Sequence, residues 1–230
     1  MKNYKSPKHI SSLFSSIANN YDLLNNLMTF GIYKYWNKQL LKLLAPETHL
    51  LDLCAGTGDI SLIFLKKSPK NQVTLLDISK KMLQKAQKKF CSFPNKINFI
   101  QSDVHFLPFK NQSISFISMA YGLRNLLNPE KCLNEMFRIL KYKGKIGILE
   151  LTQPQNKMLR ILHQWYFKLY IRPLSKIFSK NKEAYNYLEN SIYSFLSIKE
   201  LIQIYKKNFK IIATKQFLKG TVTIWILEKS

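Results

Sequence analysis

The chain has 230 residues, 46% of them hydrophobic, which is enough for one globular core and short of two. It has no run of about 18 apolar residues and no apolar stretch behind its charged start, so neither a spanning helix nor a secretory signal is expected. Its net charge of +23 invites an anionic partner, yet arginine stands only at Arg124, Arg138, Arg160 and Arg172, and lysine is spread throughout, which argues against nucleic acid and leaves anionic lipid or simple compositional bias.

The elements then follow in order. Residues 1–45 read as a helical lid: Leu23, Leu24, Leu27, Met28 and then Trp36, Leu40, Leu41, Leu44 recur at helical spacing, interrupted at Gly31 and stopped before Pro46. From 46 to 150 short apolar runs alternate with amphipathic ones. Strands are predicted at His49–Leu53, Val73–Leu76, Ile97–Ile100, Ile114–Met119 and Lys145–Leu149, with helices at Ile60–Lys67, Lys80–Phe90 and Glu130–Leu140 between them. Residues 151–196 form a basic, aromatic, helical insertion. Residues 197–230 hold a helix near Ile198–Asn208 and two strands, Ile211–Gln216 and Val222–Leu227, that pair around Lys219-Gly220. The expectation is a single α/β domain: a doubly wound, seven-stranded, mostly parallel sheet with an antiparallel last strand pair. Cys54, Cys91 and Cys132 are odd in number and widely spaced, fitting neither a disulfide framework nor a zinc site, and suggest a reducing, cytoplasmic setting.

The sharpest local signal is Asp52-Leu53-Cys54-Ala55-Gly56-Thr57-Gly58-Asp59. An apolar strand ends in an acid, and a turn with two glycines opens a helix, so backbone N–H groups can approach a ligand closely. A second strand ends at Asp77, whose carboxylate suits a pair of ribose hydroxyls. A third ends at Ser102-Asp103-Val104, where an adenine amino group would lie. Three acid-tipped strands at one sheet edge favour S-adenosylmethionine. A nicotinamide dinucleotide would want a glycine where Ser61 stands, and a second domain for its substrate.

The loop resembles the first motif of class I methyltransferases. Three further stretches resemble the C-methyltransferases of menaquinone and ubiquinone biosynthesis: Phe14 to Gly31 with Trp36, Tyr121-Gly122-Leu123-Arg124-Asn125, and Ala184 to Ile192. The chain departs from that pattern at Ala55, in the Lys219-Gly220 turn and at Tyr193, where the family carries glycine, a further glycine and a basic residue. The resemblance implies a fold of the Rossmann-like methyltransferase kind, with Thr57, Asp77, Asp103, Val104 and Asp52 as cofactor-binding residues and Gly56 and Gly58 shaping the loop they share. It implies a polyprenyl quinol as substrate, demethylmenaquinol first and a benzoquinol precursor of ubiquinone second.

Carbon methylation of such a ring needs alignment and a stabilised phenolate, and needs no metal. Arg124 and Asn125, past the fourth strand, are the candidates for holding the oxyanion or ordering a water, against a purely bracing salt bridge. Tyr21 in the lid is a candidate for contact with the ring hydroxyl, against simple packing. His105 is read as a loop histidine. Between Glu150 and Glu183 there is no acid, and Arg160, Lys168, Arg172, Lys176 and Lys180 fall four or eight apart beside Trp165, Tyr166, Phe167, Tyr170 and Phe178. That pattern suits peripheral attachment to the inner face of an anionic membrane, although solvated lysines over a buried apolar face would give the same pattern. A homodimer is compatible with the chain. An RNA methyltransferase and a non-catalytic surface-binding module are the alternatives. The first lacks an Asn/Asp-Pro-Pro-Tyr/Phe motif, and the intact acids argue against the second.

Overall fold

The computed structural model describes residues 4–93, 95–154, 156–174 and 182–230. Three helices open the chain: α1 (Pro7–Ile17), α2 (Tyr21–Met28) and α3 (Tyr33–Leu44). Strands and helices then alternate as β1 (His49–Leu53), α4 (Asp59–Leu65), β2 (Gln72–Asp77), α5 (Lys80–Lys89), β3 (Ile97–Gln101), β4 (Ile114–Ala120), α6 (Pro129–Ile139) and β5 (Leu140–Leu151). The insertion follows as α7 (Lys157–Tyr166), a π-helical turn (Phe167–Ile171) and α8 (Lys182–Tyr193). The chain closes with α9 (Ile198–Lys206), β6 (Lys210–Phe217) and β7 (Val222–Glu228).

Local chemistry sets the helix starts. The Ser79 hydroxyl accepts from Met82 N at the head of α5, Asn128 precedes Pro129 and accepts from Lys131 N at the head of α6, and Ser197 forms a reciprocal capping box with Glu200 at the head of α9. The sheet order is β3-β2-β1-β4-β5-β7-β6. β7 runs antiparallel to both neighbours, so the expected terminal hairpin forms and its second arm inserts between β5 and β6. Its buried run Val222–Leu227 explains the choice, because only an inner position covers it on both faces. The order in which strands are added reverses between the parallel neighbours β1 and β4, which places a crevice at their carboxyl ends.

Both faces of the sheet are covered. Leu40, Leu41 and Leu44 of α3 pack with Phe64 of α4 and Ala86 of α5 on one face. Cys132 and Met136 of α6 pack with Leu201 and Tyr205 of α9 on the other. This divides the expected 1–45 lid. α3 is a covering helix because its apolar stripe is dense enough to be wholly buried, and only α1 and α2 lie over the crevice. A third, smaller cluster ties this lid to the insertion through Leu13, Leu24, Phe167, Ile171 and Ile192. Among the described residues no helix is long and apolar enough to cross a membrane. Lys176, Phe178 and Lys180 of the expected basic stripe lie outside the described residues.

Candidate active site

The loop after β1 is bent by positive φ at Cys54, Gly56 and Gly58. Gly58 (φ +82°) cannot carry a side chain, because a Cβ would come within 2.6 Å of Phe90 and 2.8 Å of Leu75. Asp77, at the tip of β2, accepts from Gly56 N and Ser79 N, both at 2.8 Å. Burial pushes its carboxyl up, and the backbone N–H groups oppose the shift. Asp103 accepts from His105 N at 2.9 Å and pairs with His105 Nδ1 at 2.6 Å, while His105 Nε2 is buried without a partner. Asp77, Asp103, Val104 and Gly56 border one hollow of about 70 Å³, closed above by Pro7, Ile10 and Phe14 of α1.

Asp52 and Thr57 stand differently. Asp52 lies beneath the loop, where its two oxygens accept from Ser61 and Ser118 hydroxyls, each at 2.7 Å, and burial pushes its carboxyl up to about 6. In this conformation it braces β1, β4 and α4. Thr57 donates to Asp22 of α2 and accepts from Lys89 Nζ at 3.2 Å. Lys89 also reaches Asp22 and Asp59, both at 2.7 Å, so a cluster of four side chains latches the lid to the cofactor loop.

The turn after β4 holds the other predicted residues. Gly122 is required by close approach, since a Cβ there would meet Cys54 Cβ at 2.7 Å. Tyr121 has φ +59°, a left-handed conformation costly for a bulky residue. Its carbonyl accepts from Arg124 Nη1 at 2.7 Å and Asn125 Nδ2 at 2.9 Å, which holds the turn. Arg124 is buried, with Nη1 also donating to Glu150 Oε1 at 2.6 Å and its backbone N donating to Glu150 Oε2 at 3.1 Å. Burial opposes the guanidinium's charge, and Glu150 outweighs it. Arg124 Nε is buried without a partner. Asn125 Oδ1 accepts from the Tyr187 hydroxyl at 3.1 Å, tying α8 to the turn.

Beyond this turn opens a second, larger cavity of about 570 Å³, walled by Met28, Trp36, Leu151, Phe167, Leu188 and Val222, with Arg124 at its inner end. Tyr21 and Tyr121 border both this cavity and the hollow over Asp77. Burial pushes both phenols up, so they are neutral hydroxyl donors and not bases. Sequence reasoning passed over Glu150, Lys89 and Tyr187. Glu150 had a signal: like Asp52 and Asp77, it is an acid near the end of an apolar strand run. Lys89 had none, being a lysine among many, whereas Tyr187 lies in the Ala184 to Ile192 stretch, whose resemblance marked the segment without giving this residue a role. Tyr193, standing where a basic residue was expected, pairs with His163 Nδ1 at 2.8 Å beneath Arg160. Among the described residues no group of three His, Cys, Asp or Glu could hold a metal ion.

The family model described as the ubiE/COQ5 methyltransferase family matches residues 1–229. A protein of Chlamydia muridarum named demethylmenaquinone methyltransferase is 39% identical over 231 residues, covering all of both chains. One of the same name from Protochlamydia amoebophila is 41% identical over 211 residues, covering 89% of this chain and 87% of its own. Among solved structures, an S-adenosylmethionine-dependent methyltransferase of Thermotoga maritima, titled as a possible histamine N-methyltransferase, superposes with a TM-score of 0.68 at 20% identity, covering 96% of this chain and 100% of its own. One from Aquifex aeolicus superposes with a TM-score of 0.60 at 16% identity, covering 84% and 89%. These two speak for the fold alone.

Proposed function

The chain belongs to the ubiE/COQ5 methyltransferase family, and on that premise we propose that it methylates a ring carbon of a polyprenyl quinol, turning demethylmenaquinol into menaquinol. It is an S-adenosylmethionine-dependent methyltransferase with the Rossmann-like fold of that class. The naphthoquinol is preferred to a benzoquinol because the similar curated proteins carry the demethylmenaquinone name.

The single observation that carries the site assignment is Arg124: a buried guanidinium with an unpartnered Nε, at the inner end of a large apolar cavity. A buried donor without a partner is costly, and a phenolate oxygen would satisfy it. Glu150 and the Tyr121 carbonyl take Nη1, which locks the guanidinium plane and aims what remains. As the ring carbon attacks, charge withdraws from the ring oxygen, and a cation held in an apolar wall keeps that oxygen ionised beforehand. Tyr21 donates to the same ring edge from the lid. Asn125, engaged at both ends of its amide, positions the turn. The proton left on the methylated carbon departs to water.

The hollow over Asp77 fits the cofactor by its donor and acceptor set. Asp77 would accept from the ribose hydroxyls, Asp103 and the orphaned His105 Nε2 would serve the adenine, Val104 and Met82 would supply apolar contact, and Gly56 and Gly58 keep the loop free of side chains. S-adenosylmethionine supplies there a methyl group on a sulfonium, ready for a carbon nucleophile. Thr57 and Asp52 hold the loop that cradles it. The long prenyl tail follows the apolar cavity outward, and attachment to the face of an anionic membrane supplies a substrate that water does not dissolve.

The test is turnover of a short-tailed demethylmenaquinol with the cofactor under reducing conditions. Mass spectrometry should find one added CH2 on the ring carbon. Unchanged quinol alongside methylation of RNA or of a benzoquinol would reassign the substrate.

A further inference from the structure

We propose that the outward face of α7 is an insertion surface for an anionic lipid bilayer, and that the 570 Å³ cavity opens through it so that a lipid tail passes directly from bilayer to site. The tail's passage rests on the quinol reading above; the docking does not.

The helix itself is the first argument. α7 carries Met158, Leu159, Ile161, Leu162, Trp165 and Tyr166, yet none of its residues is buried. A helix this short does not hold by intrinsic propensity and normally depends on burying its apolar face. Here Met158, Ile161, Leu162 and Trp165, with Leu169 in the π-helical turn, are each more than half exposed. At about 100° per residue they fall on one stripe about 100° wide. The opposite side, Leu159, His163 and Tyr166, lines the cavity.

The second argument is the rim. Leu162 lines the cavity and is exposed, as are Phe30 and Ile32 from the α2–α3 connection and Leu218 from the turn between the last two strands. An apolar cavity ringed by exposed apolar side chains would hold ordered water at its mouth unless something oily covers it.

Charge selects the occupant. Lys157 and Lys168 flank the stripe, and no acid occurs between Glu150 and Glu183. A second copy of a chain at +23 would bring like charges together. Anionic headgroups neutralise them while the acyl region takes the stripe and Trp165 sits at the boundary.

Trp165 provides the readout, because Trp36 and Trp225 are buried. Phosphatidylcholine vesicles with phosphatidylglycerol should shift its emission to the blue, and bromine-labelled acyl chains should quench it. Trp165→Phe should lose the signal and keep co-sedimentation. The combined variant Met158→Gln, Ile161→Gln, Trp165→Gln, Leu169→Gln spares the cavity walls. Its partitioning should fall about a hundredfold or more. Its turnover of a short-tailed soluble quinol should match the parent, while turnover of a long-tailed quinol in vesicles collapses. The proposal is overturned if this variant sediments with vesicles like the parent, if bromolipids leave Trp165 unquenched, or if the parent is a dimer that the variant dissolves. Failure of the parent on the soluble quinol would overturn the substrate reading, with sedimentation still deciding the docking.

Discussion

The two cavities of this molecule are built on opposite principles. The hollow over Asp77 holds about 70 Å³ and is made of strand tips and loops between Cys54 and Leu127, closed by α1. Its acids are already engaged by backbone N–H groups, and Ser11 and Ser15 of α1 hydrogen-bond across it to Ile78 O at 3.3 Å and to the Ser79 hydroxyl at 2.9 Å. The outer cavity, at about 570 Å³, draws its walls from α2, α3, β5, the insertion and the last hairpin. Its lining is mostly apolar side chains, pinned by the Tyr166 hydroxyl donating to Met28 O and by Arg124 held on Glu150. A polar ligand is thus met by a site set by directional bonds and closed by a lid. An oily ligand is met by volume and an open rim. Tyr21 and Tyr121 stand where the two meet, which is where methyl donor and ring would have to touch.

The largest effect should come at that junction. Arg124→Lys keeps a charge beside Glu150 but loses the planar fork, so turnover should fall about 10²- to 10³-fold with cofactor affinity unchanged. Steady-state kinetics with calorimetry would show it. Normal turnover would reduce Arg124 to a brace and leave the outer cavity without a catalytic group.

Next is the floor of the polar half. Burial raises the Asp52 carboxyl to about 6. A folded-state pKa above the unfolded one contributes stability that is complete below about pH 4 and is lost as pH rises through about 6. Relative to Asp52→Asn, the parent should therefore lose on the order of 3 kcal/mol between about pH 4 and pH 7. Urea unfolding of both proteins across that window measures it. Parallel curves would mean that Asp52 titrates as an ordinary carboxylate.

Asp77→Ala should weaken cofactor binding by about 1–3 kcal/mol and leave the KM for quinol alone, the scale of a lost charge-assisted hydrogen bond. Leu188→Trp, which fills the outer cavity, should do the reverse: a KM for long-tailed quinol raised about tenfold, with calorimetric cofactor affinity kept. If either variant moved both constants together, the two cavities would be one site energetically. The smallest effect is expected at the latch. Lys89 bridges Asp22 and Asp59 while partly exposed, so Lys89→Met should speed cofactor release only about two- to fivefold in stopped flow.

Much of the polar half could be read from the chain, because its chemistry is local. An acid ending an apolar run, two glycines in a turn and a serine ahead of a helix act over a few residues, and strand alternation then lines their tips along one edge. The doubly wound sheet followed from that alternation for the same reason. What tertiary structure decided was which lid helix became part of the core, where β7 inserted, that Glu150 would lock Arg124, and that Lys89 would latch α2. Each depends on side chains distant in sequence, whose meeting is settled by packing and not by any local pattern. α7 shows the limit most clearly. Its composition announced an amphipathic helix, but a periodic stripe reads the same whether it faces a core or faces outward, and only the folded chain shows that Met158, Ile161, Leu162 and Trp165 of this one are exposed.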